Sequence, residues 1–206
     1  LDPATGDIRD YVGGRADLDA RVIRAIGDPE TRFTEDHLRL LRAVRFAAVL
    51  GFAIDPATFA AVQKLAPQIR RISAERIRDE IFRLLTEAPQ AGQALQLLRD
   101  AGLLKEILPE VEALVGVEQP PEFHPEGDVF THVKLMLDAM PPNPSLRLAL
   151  AVLLHDVGKP PTANFATLPD GTQRWRFENH APVGADMARA ILERLRAPNA
   201  LVDDVC

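Results

Sequence analysis

An adjacent histidine and aspartate, His155 and Asp156, end the apolar segment LRLALAVLLHDVGK. Imidazole and carboxylate ligands together suit a hard or borderline divalent cation. Neighbouring helical residues are about 100° apart around the helix axis, so both side chains can face one ion between helices. His132 in FTHVKLML is a third candidate ligand, and His180 in ENHAPVGADM is a further one. These residues predict a divalent-metal site in the C-terminal half of the chain.

Gly158 and Lys159 follow the histidine–aspartate pair. A glycine here lets the chain leave the helix at once, which would place Lys159 near an anionic substrate such as a phosphate. The alternative is that each histidine is a satisfied structural residue, as a single histidine usually is. That alternative is weaker here, because several histidines flank an apolar helix that has no other reason to bury charge.

A second row of polar residues lies in EDHLRLLRAVRF, where Asp36, Arg39, Arg42 and Arg45 follow at three-residue steps. Each step turns a helix back by about 60°, so the four side chains would spread over half a cylinder. Asp36 with Arg39 could read a base edge, while Arg42 and Arg45 could hold phosphates. A solvated helix face with local ion pairs explains the spacing equally well.

The composition of the chain restricts the class of protein to which these two sets of residues can belong. The chain has 206 residues, of which 47% are hydrophobic, and it carries one cysteine, a net charge of -6 and no apolar run long enough to span a bilayer. These features predict a cytoplasmic protein. Residues 1–83 hold 14 Lys and Arg against 13 Asp and Glu, whereas residues 84–206 hold 10 against 17. The arginine-rich first part suits contacts with phosphates and bases, and the acidic second part argues against wide contact with nucleic acid.

Hydrophobic spacing and capping residues predict a mainly α-helical protein. A β-hairpin is expected over residues 1–12 and a small β excursion around residues 174–177. The aperiodic, Pro- and Glu-rich residues 117–128 form the best domain boundary. Predicted helices cover residues 17–26, 34–51 (with Thr34 as N-cap), a segment starting at Asp55-Pro56, a segment starting after Ser73, and residues 89–101, 129–140, 146–157 and 181–196.

Residues 10–55 resemble the class II tRNA nucleotidyltransferase and bacterial poly(A) polymerase family. Asp10 with Gly13-Gly14 is similar to the family's hinge motif between head and neck, and Glu35-Asp36-x-x-Arg39 matches its motif for selecting the incoming base. The resemblance implies that Asp36 and Arg39 select ATP or CTP in place of a nucleic-acid template. It also implies that the two later arginines of the row, Arg42 and Arg45, contact the triphosphate or stiffen the site.

The later segment Ala74-Glu75-Arg76, with Glu80, resembles the neck motif that supports the base-reading helix. An ion-pair set on a helix surface explains Glu75, Arg76 and Glu80 equally well. With this motif the resemblance to the nucleotidyltransferase neck extends from residue 1 to about residue 115.

Residues 128–206 resemble the HD phosphohydrolase superfamily, whose metal ligands are a first His, an adjacent His-Asp pair and a distant Asp. His132, His155 and Asp156 match the first three ligands, and LLHDVGK is close to the central motif. His180 matches an additional histidine of many members. The closing Asp is expected beyond Cys206, because the two aspartates at 203 and 204 come too early.

The resemblances together imply three segments: the end of a head domain and hinge (1–14), a helical neck for nucleotide recognition and RNA binding (15–116), and an all-helical HD domain that is cut short (117–206). The family's two-metal chemistry, with Mg²⁺ held by carboxylates, belongs to a head preceding residue 1. Asp17 and Asp19 share the required spacing but begin a helix, so we reject them. This segment alone is therefore expected to lack nucleotidyl transfer.

The expected function is part of a tRNA nucleotidyltransferase that adds CCA, or CC or A, to tRNA 3′ ends from CTP and ATP. A bacterial poly(A) polymerase is the near alternative. The second class is a metal-dependent HD phosphohydrolase of phosphate esters or cyclic nucleotides, using a transition metal or Mg²⁺. The third is a non-catalytic RNA-binding module. The oligomeric state stays open.

Overall fold

The computed structural model describes residue 5 and residues 10–120, 125–167 and 173–206. Helices dominate this part of the chain, and its strands form only two two-stranded sheets, which confirms the predicted mainly α class. None of the helices described there is long and apolar enough to cross a membrane. The hairpin predicted over residues 1–12 falls largely outside the described residues.

The first elements differ from the prediction of a helix over residues 17–26. Helix α1 (Gly14–Asp19) ends early, Arg21 adopts a left-handed φ of 55°, and β1 (Val22–Ile23) pairs in parallel with β2 (Ala53–Ile54). The predicted helix is wrong because β-branched residues favour a strand where a partner strand is available.

A single helix with Thr34 as N-cap was also the wrong prediction. Helix α2 (Pro29–Glu35) begins earlier, because Asp28 accepts a hydrogen bond from the Thr31 amide and proline occupies the first position. Helix α3 (Leu38–Leu50) follows after a break at Asp36, whose backbone is extended. Asp36 therefore lies outside the helix that carries the three arginines.

The predicted start and stop signals are confirmed for three helices. Gly51 ends α3 in the left-handed conformation (φ 64°), and Asp55 caps α4 (Pro56–Leu65) by accepting from the Thr58 amide. Ser73 precedes α5 (Ala74–Glu87) as expected. The elements are α4 (Pro56–Leu65), a 3-10 helix (Ala66–Arg71), α5 (Ala74–Glu87), α6 (Ala91–Asp100), α7 (Leu104–Ile107) and α8 (Pro109–Glu112).

The C-terminal part contains the three predicted helices and the predicted β excursion. The excursion is an antiparallel hairpin in which Phe165 stands opposite Trp175. The elements are α9 (Val129–Asp138), α10 (Leu146–Leu154), α11 (Lys159–Thr162), β3 (Ala163–Thr167), β4 (Gln173–Phe177), α12 (His180–Arg194) and α13 (Asn199–Val205).

One buried hydrophobic cluster runs through both predicted domains, from Phe33 to Val202. Helix α6 crosses α9 so closely at Gly92 that an added Cβ would lie 2.1 Å from the Lys134 carbonyl oxygen. Asp138 of α9 accepts a hydrogen bond of 2.7 Å from the Gly92 amide, at the start of α6. The proposed boundary near residue 117 stays a prediction, but the two parts share one core.

Candidate functional site

Three predicted metal ligands meet where α9 passes the end of α10. His132 lies on α9, His155 is the C-cap of α10, and Asp156 follows it. One donor atom from each lies within 4.8 Å of the other two. Donors about 2.0–2.2 Å from one cation lie at most about 4.4 Å apart, so a shift of a few tenths of an ångström would seat an ion. The donor set fits a divalent cation.

Hydrogen bonds orient both imidazole rings of this cluster. The Nδ1 atom of His132 lies 2.6 Å from Glu126 Oε1, and the Nδ1 atom of His155 lies 2.8 Å from the Val152 carbonyl oxygen. A carbonyl oxygen can only accept, and so can an ionised carboxylate, so each Nδ1 carries a proton in these contacts. The Nε2 atoms are therefore the ones suited to bind a metal.

The carboxylate of the cluster is buried and strongly acidic. Burial alone would raise the pKa of Asp156, but hydrogen bonds with His155 and Lys159 outweigh it and lower the pKa to about 2. The Lys159 ammonium lies 2.8 Å from Asp156 Oδ2, and His155 Nε2 lies 3.1 Å from the same oxygen. Burial opposes protonation of His155, but the hydrogen bond with Asp156 raises the pKa of that imidazole. Asp156 is thus an anionic ligand at neutral pH.

Gly158 has a role that its position in the sequence did not indicate. Its backbone keeps right-handed helical angles (φ -79°, ψ -11°), so it does not serve as the predicted exit from the helix. An added Cβ would instead lie 2.1 Å from the His180 carbonyl oxygen and 2.6 Å from the Gly184 amide nitrogen. The glycine lets the segment after Asp156 pack directly on the first turns of α12.

The cluster found within the described residues does not include His180. The Nδ1 atom of His180 lies 2.7 Å from the Phe177 carbonyl oxygen. Its assignment as a ligand stays a prediction. Asp203 accepts a hydrogen bond of 3.1 Å from Arg189 on α12.

The predicted base-reading pair lies at the break between α2 and α3. Asp36 Oδ1 accepts from the Leu38 amide at 3.1 Å, and Asp36 Oδ2 accepts from Arg76 Nη2 at 2.8 Å. Burial opposes ionisation of Asp36, but the hydrogen bond from Arg76 helps to lower its pKa. Arg39 donates to Glu35 Oε2 at 2.5 Å. Residues from both resemblance motifs, Glu35 and Arg76, therefore hold the two side chains.

The two later arginines of the row differ sharply in exposure. Arg45 is 2% exposed, and its Nε donates to Glu80 Oε2 at 2.5 Å across 35 residues of sequence. Arg42 is 47% exposed, and its Nε lies 3.8 Å from Glu80 Oε1. The burial of Arg45 favours the stiffening role over a direct phosphate contact, whereas Arg42 is accessible to a ligand.

The predicted hinge residue also has local partners. Asp10 accepts hydrogen bonds from the Val12, Gly14 and Arg15 amides at 3.1, 3.0 and 2.8 Å. These bonds, the strongest from Arg15, lower the pKa of Asp10. Gly13, between them, adopts a left-handed φ of 76°, which glycine tolerates without strain. Asp10 thus fixes the start of α1.

Two family models match this chain. Residues 51–114 match the family described as the probable RNA and SrmB-binding site of polymerase A, and residues 128–206 match the HD domain. The multifunctional CCA protein of Halorhodospira halophila is 42% identical over an alignment of 206 positions, gaps included, which covers 97% of this chain and 47% of that protein. The multifunctional CCA protein of Nitrosospira multiformis is 40% identical over 200 residues, covering 95% of this chain and 46% of its own length.

Solved structures show the same relationship. The CCA-adding enzyme of Bacillus stearothermophilus, in complex with CTP, is 30% identical with a TM-score of 0.59, and the match covers 95% of this chain and 39% of that one. A tRNA nucleotidyltransferase complexed with a primer tRNA and an incoming ATP analog shares the fold at 22% identity, with a TM-score of 0.53 and coverage of 96% and 49%.

A region of the polymerase A RNA-binding family therefore precedes an HD domain in this chain. Over nearly its whole length the chain is similar to multifunctional CCA proteins. It spans about half the length of the curated relatives it matches.

Proposed function

We propose that this chain forms the neck and HD regions of a cytoplasmic enzyme that adds CCA, or CC or A, to tRNA 3′ ends. Its substrates are CTP, ATP and the tRNA 3′ end, and a bacterial poly(A) polymerase is the near alternative. The observation that carries the proposal is the pair of base-reading side chains, Asp36 and Arg39, fixed by Arg76 and Glu35 at the break between α2 and α3.

The two side chains suit the bases of CTP and ATP. Cytosine and adenine each present an exocyclic amine beside a ring nitrogen that accepts. A carboxylate such as Asp36 can accept from the amine, and a guanidinium such as Arg39 can donate to the ring nitrogen. Uracil and guanine present a carbonyl beside a ring N–H, which leaves both protein groups without a partner. An unmade hydrogen bond at such a site is costly, which gives discrimination.

Nucleotidyl transfer itself requires Mg²⁺, which the resemblance places in a head region that precedes the neck. The role we assign to this chain is selection and support. Arg42 is the exposed arginine that can contact the triphosphate, while Arg45 and Glu80 brace α3 against α5.

Base selection is testable in the protein that carries the complete nucleotidyltransferase sequence. We expect Asp36→Ala and Arg39→Ala to lose the preference for CTP and ATP over UTP and GTP in incorporation assays on a tRNA primer. Arg83→Ala is the matched control, because Arg83 lies on the outer face of α5 and pairs with Glu87. Unchanged nucleotide preference in both Asp36 and Arg39 variants would contradict the proposal.

We further propose that His132, His155 and Asp156 hold a divalent cation, either a transition metal or Mg²⁺. Such a cation supplies Lewis-acid chemistry for hydrolysis of a phosphate ester. Lys159 orients the phosphate: its ammonium donates to Gln119 Oε1 at 2.6 Å and lies 2.8 Å from Asp156 Oδ2. This HD phosphohydrolase activity is the second candidate function, and the clustered donors favour it.

Metal binding and hydrolysis test the HD site together. Mn²⁺ titration followed by electron paramagnetic resonance should show one bound ion, and the protein should hydrolyse bis(p-nitrophenyl) phosphate with Mn²⁺. His155→Ala should lose both properties, whereas Asp203→Ala, outside the cluster, should keep them. If His155→Ala binds Mn²⁺ as the parent does, the ligand assignment is wrong. If the parent binds no metal, a non-catalytic module is the better description.

A further inference from the structure

Two carboxylates flank a glycine in the turn that leads into α9. Glu126 precedes Gly127, and Asp128 follows it as the N-cap of the helix. Gly127 adopts a φ of 122°, a conformation that residues with a side chain rarely reach. The turn directs the two carboxylates to different partners.

Asp128 fixes this turn to the end of the neck. Its Oδ1 accepts from the Thr131 amide at 2.9 Å, and its Oδ2 accepts from the Gly116 amide at 2.6 Å. The next amide, that of Val129, donates to the Val117 carbonyl oxygen at 3.1 Å. Burial opposes ionisation of Asp128, but the hydrogen bonds from Thr131 and Gly116 lower its pKa. The start of α9 is thus tied to the segment that follows α8.

Glu126 contacts a metal ligand from the same turn. Its Oε1 lies 2.6 Å from His132 Nδ1, and both side chains are partly buried. Because an ionised carboxylate is a charged acceptor, a hydrogen bond to it is shorter and stronger than one to a neutral oxygen. Partial burial lowers the local dielectric and strengthens the bond further. The contact therefore favours one orientation and one tautomer of the His132 ring.

The second imidazole of the cluster is oriented in a different way. His155 Nδ1 lies 2.8 Å from the carbonyl oxygen of Val152, which belongs to the same helix, α10. That acceptor is neutral and is supplied by the backbone. A partner at one ring nitrogen raises the basicity of the other, and a carboxylate is the stronger partner. The two imidazoles should therefore differ in donor strength, with His132 Nε2 the stronger.

Glu126 can influence a bound ion through the ring of His132. The donors that cluster within the described residues are those of His132, His155 and Asp156, and Glu126 is not among them. The two nitrogens of an imidazole point in different directions, so a group bound at Nδ1 does not reach an ion bound at Nε2. The contact thus acts on the geometry and basicity of a ligand without adding a ligand.

We propose that Glu126 is a positioning residue of the HD metal site, which strengthens His132 Nε2 as a ligand by holding the ring proton on Nδ1. Asp128 supports it by tying the turn that carries Glu126 to Gly116 at the end of the neck. This inference rests on the proposed binding of a divalent cation by the cluster. It makes the affinity for that cation depend on a turn that is anchored outside the metal site.

Metal affinity is the first test, measured by Mn²⁺ titration with electron paramagnetic resonance. Glu126→Ala should weaken Mn²⁺ binding by about ten- to hundredfold, the usual effect of removing such a partner. Glu126→Gln keeps an oxygen that accepts from Nδ1 but removes the charge, so it should weaken binding less. The control is Glu178→Ala, which removes a carboxylate paired with Arg176 and should bind Mn²⁺ as the parent does. Equal affinity of the parent and Glu126→Ala overturns the assignment.

The tautomer of His132 is a second readout, which a merely structural role of Glu126 would not change. Long-range ¹H–¹⁵N spectra of the metal-free protein, at a pH where the ring is neutral, report which nitrogen carries the proton. We expect the proton on Nδ1 in the parent and in Glu126→Gln, and a shift towards Nε2 in Glu126→Ala. A proton that stays on Nδ1 in Glu126→Ala overturns the positioning role.

The two measurements separate this inference from the proposed metal site. If the parent binds Mn²⁺ but Glu126→Ala changes neither the affinity nor the tautomer, the positioning role is overturned and the metal site stands. If the parent binds no Mn²⁺ while the tautomer shifts in Glu126→Ala, the orientation of His132 by Glu126 stands and the metal function is overturned.

Discussion

The base-reading pair and the HD cluster hold their polar side chains in opposite ways. Asp36 and Arg39 are partly exposed, and each is paired with a charged residue of the same chain. Asp156 is 3% exposed, and hydrogen bonds at Nδ1 orient the rings of the other two cluster residues, His132 and His155. The neck presents a surface on which a ligand can replace existing partners, while the HD region presents a preorganised set of donors. Selection suits the first arrangement, and metal binding suits the second.

The largest expected effect concerns the buried support of the neck. Arg45→Met leaves Glu80 buried without its closest cationic partner, and breaking a buried pair costs about 3–5 kcal/mol. Urea unfolding should show this loss in the free energy of unfolding. Such a loss would show that the partly exposed base-reading pair is supported by a buried ion pair between α3 and α5.

Arg42→Met is the matched control for that measurement. Arg42 is on the same helix and 47% exposed, and exposed pairs contribute about 0–1 kcal/mol. Equal destabilisation by the two substitutions would show that Arg45 is no brace and would return it to the set of ligand contacts.

The next effect concerns the backbone contact that supports the HD cluster. Gly158→Ala forces a methyl group against the His180 carbonyl, and overpacking typically costs about 1–3 kcal/mol. We expect lower stability and weaker Mn²⁺ binding, measured by thermal unfolding and titration. Gly184→Ala is the control, because its added Cβ would lie 3.4 Å or more from its neighbours. A Gly158→Ala protein with full stability would break the claim that the HD cluster is rigidly preorganised.

The smallest effect concerns an ion pair that joins the two regions. Arg194 of α12 donates to Glu110 of α8 at 2.5 Å. Burial opposes ionisation of Glu110, but the hydrogen bond from Arg194 lowers its pKa. The pair therefore stabilises the fold above the ordinary pKa of glutamate, and that stability is lost as the pH falls through the lowered value. Since Arg194 is 45% exposed, the contribution is at most about 1 kcal/mol.

Unfolding of Glu110→Gln across pH tests this pair. The difference from the parent should be largest near neutral pH and should vanish once the pH has fallen below the lowered pKa of Glu110. Glu75→Gln, at an exposed position of α5, is the control for the removal of a surface carboxylate. A difference that persists in acid would assign the effect to packing rather than charge.

Short local signals predicted most of the fold. Asp55-Pro56 and Gly51 mark helix ends through contacts within a few residues, and both predictions are confirmed. The break before α3 was missed because two cap signals compete there. Asp28 is the N-cap of α2, while Thr34 lies inside that helix and its hydroxyl donates to the Glu30 carbonyl. Sequence spacing alone does not decide which capping residue prevails.

The candidate sites divide in the same way. His155 and Asp156 are adjacent and were found as a motif, whereas the partnership of Arg45 with Glu80 spans 35 residues. The contact of Gly158 with α12 and the hydrogen bond that Lys159 donates to Gln119 also join distant segments. Motifs indicated which residues carry chemistry, but only the packed helices showed which residues hold them in place.

The N-terminus of helix α6 is capped by a carboxylate from the HD region. Asp138 accepts from the amides of Gly92 and Gln93, and α9 lies too close to Gly92 for any larger residue. A chain without the HD region would lack the acceptor for those two amides and the helix that packs on Gly92. His155 is not part of this contact, so its substitution would leave the contact unchanged. The HD region therefore has a structural role in supporting α6, separate from the chemistry proposed for its metal cluster.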